Sequence, residues 1–139
     1  MWNNIRNKED IRELMECFGG FKGSCLCDMK YRSGAFVGTV SEHFINDELS
    51  LTLIFQRRSL RDVQTIELRF TGLRDLRLSP LGAGFECYLS SATLLMENDL
   101  LRFSTWEDLD TINADAGIVL ISAKSLLWRD ISDVIQYTA

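Results

Sequence analysis

A chain of 139 residues with 46% hydrophobic and 25% charged side chains is long enough for one buried core and too apolar for disorder. A net charge of −5 argues against wholesale nucleic-acid binding, and no apolar run approaches the length of about 20 residues that spans a bilayer. The opening Met1-Trp2-Asn3-Asn4-Ile5-Arg6 carries no charged-then-apolar export pattern, so a cytoplasmic, single-domain protein over 1–139 is the expectation.

The first predicted element is a helix over 7–18. Ile11, Leu14, Met15 and Phe18 recur at helical spacing, Asn7 can cap the start, and Glu9 and Asp10 suit the first turn. Gly19-Gly20 ends it. From Ser24 the period changes to two. Cys25, Cys27, Met29 and Tyr31 alternate with Leu26, Asp28, Lys30 and Arg32, a strand with one buried and one wet face. Gly34 and Gly38 bracket a bend, and Asn46-Asp47 marks a turn.

A second strand puts Leu49, Leu51, Leu53 and Phe55 inward, and Arg57 through Asp62 reads as the loop to a third. There Ile66, Leu68 and Phe70 face inward. Leu73 breaks that phase before Leu76 and Leu78 restore it, which a bulge or tight connection at Gly72-Leu73 would explain. Pro80 through Gly84 is a loop, Phe85, Cys87 and Leu89 begin another alternating run, and Glu97-Asn98-Asp99 marks a hairpin. Thr105 can cap a short helix through Trp106, Leu109 and Ile112. Ile118–Ile121 reads as a central strand, and Trp128, Ile131, Val134 and Ile135 as a short C-terminal helix.

Successive strands without crossover helices favour antiparallel pairing. The fold expected is α+β: an N-terminal helix packed on a strongly curved, mainly antiparallel sheet or partial barrel of six to seven strands.

No motif specifies a reaction. The single histidine, His43, would have to serve any hydrolase, and no Gly-x-Ser-x-Gly elbow supports one. Asp28 and Glu67 are wet-face carboxylates without a spacing that pairs them. The glycines of 19–24 stand in helix–loop–strand order, the reverse of a phosphate-binding P-loop. Cys17, Cys25, Cys27 and Cys87 lack the short spacings of a zinc knuckle and read as buried thiols. No cofactor or metal is implied. Arg57, Arg58 and Arg61, with Arg69, Arg74 and Arg77 nearby, read as a solvated hairpin end without companion aromatics.

The charge itself is uneven. Between Glu97 and Asp115 lie six acids (Glu97, Asp99, Glu107, Asp108, Asp110, Asp115) and only Arg102, so these nineteen residues hold the whole net charge. Such a stretch steers an electropositive protein partner, and Trp106 beside Glu107 and Asp108 adds an aromatic anchor. Trp106, Glu107, Asp108, Asp110 and Asp115 are the candidate partner-binding residues. Met29, Tyr31, Phe55 and Phe70 are the candidate lining of a small-ligand pocket in the mouth of the sheet.

Five segments fall in a familiar order: Phe21-Lys22-Gly23-Ser24-Cys25, Tyr31-Arg32-Ser33-Gly34-Ala35, Ile54-Phe55-Gln56-Arg57, Ile66-Glu67-Leu68-Arg69-Phe70-Thr71-Gly72-Leu73 and Leu126-Leu127-Trp128-Arg129. Over residues 11–129 the chain resembles a group of small, uncharacterised bacterial proteins. It is similar, more loosely, to β-rich immunity-type proteins, which neutralise toxins by binding them. The first motif of the group often has His-Asp where this chain has Lys22-Gly23. The resemblance implies a binding protein and no catalytic residue.

Overall fold

The computed structural model describes residues 1–38, 43–45, 49–60, 62–79, 89, 91–105 and 118–133. After a two-residue strand β1 (Asn3–Asn4) comes helix α1 (Lys8–Cys17), capped as its sequence requires: the Asn7 side chain accepts the Asp10 N–H over 2.9 Å. Leu14 and Phe18 are wholly buried, and Ile11 and Met15 pack beside them. A 3-10 turn, Gly19–Phe21, then drives Phe21 into the core.

The strands that follow are β2 (Cys25–Arg32), β3 (Ala35–Val37), β4 (His43–Ile45), β5 (Ser50–Ser59), β6 (Asp62–Ser79), β7 (Thr93–Glu97), β8 (Leu100–Ser104) and β9 (Ile118–Asp130). All pairings are antiparallel. Among the described residues they give a seven-stranded sheet ordered β2-β5-β6-β9-β8-β7, with β1 added on β9, and a separate β3–β4 hairpin. The sheet does not close, because β2 and β7 stand at opposite ends of that order.

The expected inward residues of β5 and β6 are in place: Leu51, Leu53, Phe55, Ile66, Leu68 and Phe70 are all fully buried. The loop expected from Arg57 to Asp62 is mostly strand, since β5 and β6 pair out to Ser59 and Asp62. Gly72 does not end the strand. The register slips between Leu73 and Asp75, a bulge that lets one strand run 18 residues.

A second bulge corrects the reading of β2. The register shifts between Leu26 and Asp28, so Cys27 is the extra residue and the alternation changes phase there. Leu26 and Met29, rather than Cys25 and Cys27, pack on the core. Of the thiols expected to be buried, those of Cys17 and Cys27 are exposed and that of Cys25 is half-buried, while Cys87 lies outside the described residues.

The C-terminal helix expected around Trp128 is also corrected. Trp128 lies inside β9, opposite Leu68, and Ile131 enters a turn just beyond; Val134 and Ile135 fall outside the described residues. Thr105 has a role within the sheet. Its Oγ1 accepts the Val119 N–H over 2.9 Å, tying the end of β8 to the start of β9. The helix expected through Trp106 and Ile112 lies outside the described residues.

Candidate protein-binding surface

The space beneath α1 is filled by phenylalanines. The ring of Phe21 stands 4.9 Å from that of Phe18, 5.1 Å from Phe55 and 5.5 Å from Phe103, all edge-on. Phe70 closes on Phe103 at 5.8 Å. These five side chains are fully buried. Phe55 and Phe70, expected to line a ligand pocket, are therefore core. Met29 is half-buried against that core, and Tyr31 is exposed near the end of β2.

The other sequence candidates are also located. His43 is not in a loop: its backbone opens β4 and pairs with Val37. Asp28 and Glu67 share one row of the sheet, with Ile54 between them as the partner of both. The Glu67 carboxylate is already engaged by Arg129. Trp106, Glu107, Asp108, Asp110 and Asp115 lie outside the described residues. Of the acidic stretch, Glu97 and Asp99 are seen at the β7–β8 turn, where Arg102 reaches Glu97 at 3.2 Å. Among the described residues no cluster of His, Cys, Asp and Glu could hold a metal, and no helix is long and apolar enough to cross a membrane.

Two of the arginines read as solvated have aromatic companions. The Arg57 guanidinium lies 5.3 Å from the centre of the Phe18 ring, and that of Arg69 lies 4.8 Å from Trp2. Gly19 makes the first contact possible, because a Cβ there would stand 2.1 Å from Arg57 Nη1.

Arg57 belongs to a surface that the sequence does not announce. An open depression of about 740 Å³ lies between the end of α1, the β5–β6 turn and the end of β9, lined in part by Cys17, Arg57, Leu60, Val63, Gln64 and Asp130. Its floor is hydrogen-bonded. Arg57 Nε donates to Gln64 Oε1 at 3.0 Å, and Gln64 Nε2 donates to Cys17 O at 3.2 Å and Asp130 Oδ2 at 3.3 Å. Asp130 Oδ1 accepts both the hydroxyl and the N–H of Ser132, at 2.5 and 2.8 Å. Partial burial pushes the Asp130 carboxyl up, but the bonds from Ser132 and Gln64 outweigh it and hold it below the usual range.

Above this fixed floor stand two apolar side chains, Leu60 at 99% exposure and Val63 at 52%. Leu60 sits at the turn with φ of 50°, a left-handed conformation unusual for leucine. Chemically the arrangement sets a hydroxyl on a carboxylate, Ser132 on Asp130, at the foot of two apolar side chains. It offers apolar contact over a rigid polar base, the make-up of a protein-contact surface. One local signal for its floor was present in the sequence: Asp130-Ile131-Ser132 suits a turn in which an aspartate accepts the N–H two residues on.

Compared with known proteins, the chain matches no family model, and neither a curated protein nor a solved structure matches it significantly.

Proposed function

We propose that this chain is a non-enzymatic protein-binding module of the immunity type its sequence resembles, and that it receives an electropositive protein. The observation that carries the reading is the filled core. Five phenylalanine rings occupy the space where a curved-sheet protein would hold a small ligand, while Leu60 and Val63 stand out in solvent. In this reading the sheet bends around those rings as a partial barrel, and recognition is carried on its outside. The direction of the charge supports the partner's sign, since the nineteen residues from Glu97 to Asp115 hold six acids against the single base Arg102.

Affinity capture from an extract of the source cell, at low and high salt, tests the reading. A basic protein should bind at low salt and leave as salt rises. Reversing Glu107, Asp108 and Asp110 to Lys should abolish that capture, and Leu60→Asp should weaken it. If both variants retain every bound protein at the wild-type level, the reading is wrong.

A further inference from the structure

β6 is longer than its neighbour on one side. Its ladder with β9 runs out to Ser79, whereas β5 starts at Ser50, opposite Thr71. From Leu73 to Leu78 the other edge of β6 therefore meets no strand among the described residues. A strand edge in that state is a template for another strand, and proteins that keep such an edge single do so with charge, proline, a bulge or a covering loop.

This edge has a bulge after Leu73 and exposed charges of both signs, and its side chains also match one another. Leu76 and Leu78 are 37% and 48% exposed, beside their buried partners Ile121 and Val119. Asp75 and Arg77 are exposed on the opposite face, two residues apart and opposite in sign.

We propose that this edge pairs antiparallel with the same edge of a second copy of the chain, about a two-fold axis at Leu76. In that register Asp75 of each copy stands across from Arg77 of the other, twice over, and Leu76 meets Leu76. Centring the pair on Asp75 would oppose two aspartates, and centring it on Arg77 would oppose two arginines, both unfavourable. The sequence is thus self-complementary in one register, as an isologous contact requires. The leucines extend the apolar face of β9 across the join.

Sedimentation equilibrium from about 1 to about 500 μM covers the affinities a short edge contact of this kind reaches. The expected result is a mass that doubles with concentration. Asp75→Arg and Arg77→Asp should each weaken association about tenfold or more by opposing like charges, and the double swap should restore it. Circular dichroism reports whether each variant is folded. Should a swap fail to fold, Leu76→Cys decides: mild oxidation should link two copies through residue 76, as mapping the linked peptide shows, because directly opposed residues suit a disulfide. A monomer at the highest concentration overturns the proposal, including the case in which the edge takes a strand from a different protein. So does a dimer indifferent to all three charge variants, or a Leu76→Cys chain that never links at residue 76.

Discussion

Arg129 stands directly across the β6–β9 ladder from Glu67, and its Nε donates to Glu67 Oε1 over 2.8 Å. The same guanidinium lies 4.2 Å from the centre of the Trp2 ring, which also receives Arg69. One indole and one carboxylate therefore hold two cations on the outward side of the sheet and fasten the segment leading into β1. Removing the carboxylate leaves a partly covered guanidinium without its anion. Glu67→Ala should cost about 1–3 kcal/mol in urea unfolding. Trp2→Ala should cost about 1 kcal/mol. The two losses should fall short of additive, because both act on Arg129.

Phe21 and Phe103 each touch three of the other four rings in the core, so the loss of Phe21 opens a gap at the centre of the cluster. Phe21→Ala should destabilise by about 3–5 kcal/mol. Tyr31→Ala, at a residue 54% exposed, should stay within about 0.5 kcal/mol of wild type. Equal losses at the two positions in chemical denaturation would show that the rings beneath α1 do not centre the core.

Asp130 gives stability a pH dependence of known sign. Its carboxyl titrates below the ordinary value of 3.8 in the folded chain. Between the two values the unfolded chain binds the proton and the folded chain does not, so stability rises with pH there. The contribution is complete above pH of about 5 and is lost as pH falls through the lowered folded value. Ser132→Ala removes the hydroxyl that does most to stabilise the anion. The acid limb of its unfolding curve should flatten relative to wild type, and an unchanged limb would show that the Ser132 hydroxyl does not set the carboxyl.

What could be read from the sequence was whatever burial alone decides. β5 and the first half of β6 carry an apolar residue at every second position because those residues meet the same core, and the helix cap at Asn7 is a local bond between neighbours. The errors have equally physical origins. At Cys27 a bulge inserts one residue and exchanges the faces of everything before it, and nothing local distinguishes Cys27 from Cys25. Around Trp128 the helical spacing of Trp128 and Ile131 is misleading, because both are buried although β9 ends between them at Asp130. The depression at the β5–β6 turn draws on residues from three distant elements. Gln64 joins Cys17 to Asp130 across 47 and 66 positions of sequence, a link no periodicity contains.

Gly72 shows how narrowly the long strand is maintained. Its φ of +64° belongs to the left-handed region, and a Cβ there would stand 2.8 Å from Lys124 Cβ across the ladder. Gly72→Ala meets both obstacles and should cost about 1–3 kcal/mol. The two can be separated by a double-mutant cycle. In a Lys124→Gly background the contact is gone, so the further cost of Gly72→Ala should fall to about 1 kcal/mol, the backbone share. A cost unchanged by Lys124→Gly would assign the whole effect to φ. A cost that vanished would mean that the backbone at 72 relaxes out of the left-handed region, and with it the slip that sets which face Leu76 and Leu78 occupy.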